Sequence, residues 1–98
     1  MYNFLKIAEF EWDMGNSNKN WEKHEVLWRE CEEVFGNVPL HISPDTKHSS
    51  VEERFQVLGK TDEGRLLFLS FTIRNNKIRI ISARSMNKKE RTFYEKNT

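Results

Sequence analysis

The second half of the chain carries three alternating apolar and polar patterns that predict consecutive β-strands, over residues 53–60, 66–73 and 77–84. Side chains two positions apart share one face of a strand, so each pattern defines a core face and an outer face. Turn residues at 61–64 and 75–76 separate the patterns, which indicates an antiparallel meander. The residues that share the predicted core face are Phe55, Val57, Leu67, Leu69, Phe71, Ile78 and Ile80.

The other face of this meander is polar and rich in arginine. The residues predicted to lie on it are Arg54, Gln56, Ser70, Thr72, Arg74 and Arg79. Such a face is suited to phosphate, because a guanidinium fork donates to two oxygens of an anion at once. Arg79 and Arg84 are an odd number of positions apart, so in a regular strand their side chains would lie on opposite faces. Both reach this face only through a β-bulge or at the end of the strand. From spacing alone, a buried structural salt bridge is an equally compatible role for Arg79.

The beginning of the chain predicts an edge strand and then a helix. Residues 4–12 alternate imperfectly and end in large aromatic side chains two positions apart, which indicates an edge strand. Asp, Gly and Asn within residues 13–16 indicate a turn. Ser17 is a suitable N-cap for a first helix that runs to about His24, since its hydroxyl can accept from an orphan amide.

Apolar residues at helical spacing predict a second helix over residues 27–35. The side chains expected to pack on the sheet from it are Trp28, Cys31 and Phe35. Both prolines lie within residues 37–50, which predicts a loop with room for a short extended piece. Asn87 and Glu90 form a capping-box pattern for a last helix. The prediction is an α+β fold: a small antiparallel sheet of about four strands, two N-terminal helices packed on one face, and a C-terminal helix.

The length of 98 residues fits a single domain over residues 1–98. No apolar run approaches the roughly 20 residues that cross a bilayer, and the N-terminus lacks the apolar core of a signal peptide, so we expect no membrane partner. The single cysteine, Cys31, excludes an internal disulfide, which is consistent with the cytoplasm.

The net charge of +1 conceals a strong asymmetry along the chain. Residues 1–35 hold four Lys/Arg against eight Asp/Glu, whereas residues 77–98 hold seven Lys/Arg against two Glu. A basic C-terminal part in a nearly neutral protein indicates a local anion-binding surface. The two ends could equally neutralise each other in the fold.

The histidines show no metal-binding pattern. His24, His41 and His48 have no partners at ligand spacing, so we expect no metal and no cofactor. An unperturbed histidine titrates near pH 6.5, which makes His24 a candidate for proton transfer, although a lone histidine is also compatible with a structural role. His41 and His48 are expected to be loop residues.

Several short motifs, in this order and spacing, resemble the BrnT family of type II toxins, which are ribonucleases with a RelE-like fold. The motifs are Phe10-Glu11-Trp12-Asp13, Asn20 followed by Lys23-His24, Glu53-Arg54-Phe55 with Gly59, and Arg79-Ile80-Ile81-Ser82-Ala83-Arg84 followed by Glu90-Arg91 and Tyr94. The resemblance covers nearly the whole chain. It departs at two positions: Glu25 stands where the family has glycine, and Asn16 where it often has lysine. We expect the corner before the second helix to be tighter, or the two helices to merge in part.

The resemblance implies a bacterial, cytoplasmic toxin that cleaves RNA and is neutralised by a cognate antitoxin. Antitoxins of this family resemble ribbon-helix-helix DNA-binding proteins, so operator DNA would be reached only through the antitoxin. The residues implied as catalytic are His24, Lys23, Arg54, Arg79 and Arg84, with His24 transferring a proton and the basic residues contacting phosphate. RNA supplies its own nucleophile, the 2′-hydroxyl, so cleavage without a metal is the consistent chemistry.

Two other functions remain compatible with the sequence. A catalytically weak homologue would act mainly as a co-repressor subunit of a DNA-bound antitoxin complex. A general nucleic-acid-binding protein is disfavoured by the low net charge.

Overall fold

The computed structural model describes residues 9–13, 16, 24–48 and 50–97. Its sheet is antiparallel and four-stranded, with the strands in chain order. The elements are α1 (Trp28–Gly36), β1 (His41–Pro44), a 3-10 helix (Thr46–His48), β2 (Arg54–Lys60), β3 (Leu66–Arg74), β4 (Lys77–Ser85) and α2 (Lys88–Lys96). No helix among the described residues is long and apolar enough to cross a membrane.

The meander of β2, β3 and β4 is confirmed, but the first strand of the sheet is not the predicted one. β1 comes from residues 37–50, which were predicted as a loop with room for a short extended piece, and it pairs with β2 through His41 opposite Leu58. Of the expected edge strand over residues 4–12, residues 4–8 lie outside the described part of the chain. Phe10 forms a single parallel bridge with Ile78 of β4. Residues 9–11 therefore lie along the other edge of the sheet.

Of the predicted pair of N-terminal helices, one, α1, precedes the sheet in the part of the chain that the structure describes. The segment expected to form the first helix, residues 17–24, lies outside the described residues except for His24, which is helical. The alternative of a merged helix is wrong, because Glu25 has a φ of 55° and the chain is not helical from Glu25 to Leu27. This left-handed conformation explains why glycine suits the position.

The core lies between α1 and the sheet. All seven residues predicted on the core face of the meander are buried, and α1 adds Cys31 and Val34. Phe35 is partly buried and packs edge-on against Phe71, with ring centroids 5.3 Å apart. The prediction for Trp28 is wrong: its side chain is 47% exposed and packs on the ring of Trp12. Burial raises the pKa of the Cys31 thiol to about 12, so this cysteine is a core residue.

A β-bulge in β4 decides which side chains face outward. Ser70 pairs with Ser82, but its neighbour Phe71 pairs with Ile80, so Ile81 is an extra residue in β4. Because one inserted residue reverses the parity beyond it, Arg79 and Arg84 lie on the same face.

Candidate functional site

The sheet face that points away from α1 is called the outer face here. Cross-strand partners share a face, so the pairing register defines three rows of side chains across it. The rows are Arg54, Thr72 and Arg79; then Ser43, Gln56, Ser70 and Ser82; then His41, Leu58, Phe68 and Arg84. The outer face therefore has an arginine at each end of its first row and another in its third row.

Arg79 is held by the acidic segment that runs along β4. Its Nη1 atom lies 3.0 Å from Glu11 Oε1 and 3.0 Å from Asp13 Oδ2, and the Arg79 side chain is 17% exposed. The hydrogen bond to Asp13 and the charges of both carboxylates raise the pKa of Arg79, although burial acts against them. Arg79 thus lies on the outer face and forms the ion pairs of the structural alternative stated for it.

Arg84 forms a two-pronged contact with α2. Its Nη1 and Nη2 atoms donate to the two oxygens of Glu90 at 2.8 and 2.9 Å, and its guanidinium carbon lies 4.3 Å above the ring centre of Phe68. Burial acts to raise the pKa of Glu90, but the hydrogen bonds from Arg84 and the Asn87 amide outweigh burial and lower it. The same Glu90 completes the predicted capping box with Asn87. One carboxylate therefore fixes both α2 and Arg84.

The five residues implied as catalytic are spread over the molecule. Arg54 and Arg79 lie two strands apart in one row, about 10 Å between Cα atoms, with Thr72 buried between them. Arg84 lies further along β4, about 15 Å from Arg79. Lys23 lies outside the described residues.

His24 lies at the Arg84 end of the sheet. Its carbonyl oxygen is 3.5 Å from Nη2 of Arg65, and that nitrogen is 3.4 Å from the hydroxyl of Ser85. Arg65 also binds Glu30 of α1 at 3.1 Å, so it joins the residues before α1 to the sheet. The His24 side chain is exposed. Arg65 was not singled out by the sequence, because its role depends on contacts between distant segments.

Ion pairs join the acidic N-terminal segment to β3 and β4. Glu9 lies 3.6 Å from Lys77, and Glu11 contacts both Arg74 and Arg79. The acidic and basic ends of the chain therefore neutralise each other in part, which is the second of the two alternatives stated for the charge pattern.

Asn16 fixes the segment to β4. The Asn16 side chain is buried and donates to the carbonyl oxygens of Glu11 and Ile80, at 3.1 and 3.2 Å. The side-chain oxygen Oδ1 of Asn16 accepts a hydrogen bond from the backbone amide of Asp13 at 2.8 Å. The position where the family often has lysine thus holds an internal hydrogen-bonding group here.

Two histidines expected in loops have defined partners. His41 begins β1, and its ring packs edge-on against Phe93 and Tyr94 of α2. His48 ends the 3-10 helix, with Nδ1 3.0 Å from a carboxylate oxygen of Asp45. The expectation is therefore wrong for His41 and correct in part for His48, which lies in a short turn of helix between strands.

A groove opens between the outer face and α2. It has a volume of about 450 Å³, and its lining includes Gln56, Leu58, Phe68, Glu90 and Phe93. The sequence did not indicate this groove, because the groove depends on the pairing of β1 with β2. The prolines within residues 37–50 favour a loop for that segment. Among the described residues, no group of three or more His, Cys, Asp or Glu side chains is placed to hold a metal ion.

The fold is that of a small α+β protein whose four-stranded sheet carries Arg54, Arg79 and Arg84 on its outer face. The family model described as "Ribonuclease toxin, BrnT, of type II toxin-antitoxin system" matches residues 12–90. The chain therefore belongs to the BrnT family of type II toxin-antitoxin ribonuclease toxins, which confirms the resemblance and implies an antitoxin as a partner. A comparison with individually curated proteins gave no match.

Proposed function

We propose that this BrnT-family protein is a cytoplasmic endoribonuclease that binds RNA on the outer face, cleaves it without a metal, and blocks growth until an antitoxin covers that face. The observation that carries the proposal is the β-bulge, which brings Arg79 and Arg84 to the same face as Arg54. Three guanidinium groups on one face suit a chain of phosphates, because each supplies charge and directed hydrogen bonds.

The proposed chemistry needs two contributions from the protein. The 2′-hydroxyl of the RNA attacks the adjacent phosphorus and expels the 5′-oxygen, which leaves a 2′,3′-cyclic phosphate. Arg84, at the same end of the sheet as His24, stabilises the charge that develops on the scissile phosphate, and Arg79, about 15 Å away, contacts another phosphate of the same RNA. A well-placed donor at the reacting phosphate contributes about 3 to 4 kcal/mol to a transition state. His24 accepts the proton of the attacking 2′-hydroxyl and gives a proton to the departing 5′-oxygen, and Lys23 and Arg54 are further phosphate contacts. The exposure of the His24 side chain supports access by RNA.

RNA binding must compete with the ion pairs inside the chain. Glu11 and Asp13 occupy the Arg79 guanidinium, and Glu90 occupies that of Arg84. A phosphate can replace a carboxylate on the same fork, since both accept paired hydrogen bonds. The side chain of Asp13 is 56% exposed, so this contact is the one most open to exchange.

The experiment incubates the purified chain with RNA and analyses the ends of the products. His24→Ala should lower the cleavage rate by about 100- to 10,000-fold, the usual range for a general acid or base. His48→Ala serves as a matched control, because His48 is also exposed but lies in the 3-10 helix. EDTA should leave the rate unchanged. Cleavage abolished by EDTA, or a folded His24→Ala protein that cleaves at the parent rate, would refute the mechanism.

The substitution Arg79→Lys tests whether the phosphate site needs the planar guanidinium group of Arg79 or only its positive charge. Lysine keeps the positive charge but loses the planar fork, so cleavage should fall even though the net charge is unchanged. Arg29→Lys is the control, because Arg29 is an exposed arginine on α1, on the other side of the sheet. Equal activity of the parent and Arg79→Lys would show that Arg79 acts only as a structural ion pair.

A second candidate function is that of a catalytically weak co-repressor subunit bound to a ribbon-helix-helix antitoxin. The observation that favours it is the occupation of both Arg79 and Arg84 by carboxylates of the same chain. Under this alternative the purified chain cleaves no RNA, yet it strengthens binding of the antitoxin to operator DNA. The first candidate predicts cleavage that the antitoxin inhibits, so the same two purified proteins distinguish the functions.

A further inference from the structure

The groove beside α2 has aromatic surfaces next to an arginine of the outer face. The ring of Phe68 forms part of its lining, and the Arg84 guanidinium lies 4.3 Å above that ring. Phe93 of α2 also lines the groove and leaves 51% of its surface exposed. Exposed aromatic rings and arginine planes are the surfaces on which unpaired bases of RNA stack.

The ring of Phe93 has a fixed environment. It packs against His41 with ring centroids 5.8 Å apart and an interplanar angle of 72°. His41 is fixed in turn by Tyr94, at 5.6 Å, and by a contact of 3.1 Å between its Nε2 atom and the Asn97 carbonyl oxygen. An aromatic side chain that is half exposed yet held by a neighbouring ring is a preorganised surface for stacking.

Polar groups of the sheet offer hydrogen bonds within the same groove. Gln56 and Ser43 are cross-strand partners that both line it. The amide nitrogen of Gln56 donates to Asp45, so its amide oxygen is the acceptor that it offers to a base, and the Ser43 hydroxyl can both donate and accept. A carbonyl oxygen only accepts hydrogen bonds, so the contact with Asn97 places the proton of a neutral His41 on Nε2 and leaves Nδ1 as an acceptor. The groove thus has aromatic surfaces on which a base can stack and polar groups that can hydrogen-bond to the edge of that base.

We propose that this groove binds one unstacked nucleobase of the RNA, next to the phosphate held by Arg84. The inference rests on the proposed function and deepens it, since the groove would select the base at one position of the cleaved sequence. Its volume of about 450 Å³ lies within the range of about 300 to 1,000 Å³ for small-molecule sites. Glu90 lines the groove and accepts a hydrogen bond from Arg84, so the groove adjoins the proposed phosphate site.

The direct test is an NMR titration of the isotope-labelled protein with each of the four nucleoside monophosphates, and with inorganic phosphate as a probe without a base. The nucleotides should shift the signals of Phe93 and Gln56, whereas phosphate alone should shift only those near Arg84. Phe93→Ala should weaken nucleotide binding by about 5- to 100-fold, the loss expected for one base stack. Phe93→Tyr keeps an aromatic ring and should bind nucleotides like the parent.

Trp28→Ala is the matched control, because Trp28 is 47% exposed but belongs to α1, and it should leave nucleotide binding unchanged. Gln56→Ala should change the ranking of the four nucleotides, since an edge-reading group discriminates between bases and a stacking surface does not. Nucleotide binding that is the same in Phe93→Ala and the parent would overturn the proposal. So would loss of antitoxin binding in Phe93→Ala with nucleotide binding intact, because the groove would then be a protein-docking site.

Cleavage assays separate this inference from the proposed function. If the parent protein cleaves RNA, the proposed function stands, and Phe93→Ala and Gln56→Ala should then alter the relative rates at different sites. Unaltered site preference in both variants would reject the base site alone. A parent protein that cleaves no RNA would reject the proposed function, while the nucleotide titration would still decide whether the groove binds bases.

Discussion

Glu25 shows at the scale of a single residue how a departure from a family pattern is accommodated. Its φ of 55° is a conformation that residues other than glycine rarely adopt, and its carbonyl oxygen accepts a hydrogen bond of 2.9 Å from Arg65. The backbone geometry is thus kept while the residue that suits it best is absent. The strain is local, because the Glu25 side chain is exposed and α1 still begins at Trp28.

Glu25→Gly should therefore stabilise the protein. A left-handed residue costs roughly 1–2 kcal/mol, whereas the extra freedom of glycine in the unfolded chain offsets roughly 0.5–1 kcal/mol. The expected net gain is about 0.5 to 1 kcal/mol in the free energy of unfolding by urea. Glu63→Gly is a control at another exposed position, and it should not stabilise. A loss of stability in Glu25→Gly would show that the strain at this position is negligible.

Residues whose role depends on strand parity alone were predictable, whereas those that depend on distant partners were not. The burial of Leu69 and Ile80 follows from period-two alternation within one strand. Asn16 could not be assigned from sequence, because its partner Ile80 lies 64 positions away. Gly59 is a similar case: a Cβ there would lie 2.6 Å from a methyl group of Val34, so its small size serves packing between α1 and β2.

At the scale of elements, strong turn signals and alternation predicted β2, β3 and β4 to within about one residue, together with the cap of α2. The left-handed pair Asn75 and Asn76 forms the predicted tight turn. β1 was predicted only as a short extended piece within a loop, because it has four residues, ends in Pro44, and lies in a segment whose composition is typical of loops. The β-bulge was stated as a condition for Arg79 and Arg84 to share a face, but its position became visible only in the pairing register.

The contact between β4 and α2 should make stability depend on pH through Glu90. Its pKa is lowered from the ordinary value of 4.5 in the folded protein, so the Arg84 contact stabilises the fold above that pH and is lost as the pH falls through the lowered pKa. The advantage of the parent over Glu90→Gln in thermal unfolding should therefore shrink on acidification. Glu95→Gln, an exposed position on the same helix, is the comparison. A constant difference between the parent and Glu90→Gln at all pH values would contradict this coupling.

At the scale of the whole molecule, the charge asymmetry of the sequence is resolved into two regions. The acidic residues Glu9, Glu11 and Asp13 form ion pairs with basic residues of β3 and β4, which partly neutralise that end of the outer face. The α2 end retains basic residues on an exposed helix, Lys88 and Lys89 among them. Counting charges could not predict this division, because it depends on which segment lies beside β4.

Antitoxin binding should be sensitive to salt and to the charge at Arg79. If the antitoxin covers the outer face with acidic groups, its association rate should fall by about tenfold or more as salt is raised, while dissociation changes less. Arg79→Glu should slow association at low salt. Arg29→Glu on α1 has the same charge change on the other side of the sheet and should have little effect. An antitoxin association rate that changes neither with salt nor with Arg79→Glu would contradict binding of the antitoxin to the outer face.

The central claim is that RNA phosphates bind on the outer face, and the most direct measurement is an NMR titration with RNA made uncleavable by 2′-O-methyl riboses. The side-chain Nε–Hε signals of arginine report contact with phosphate at individual residues. We expect shifts for Arg54, Arg79 and Arg84 that weaken as salt is raised, and none for Arg29 of α1. Shifts that cluster on α1, with the three outer-face signals unchanged, would contradict it.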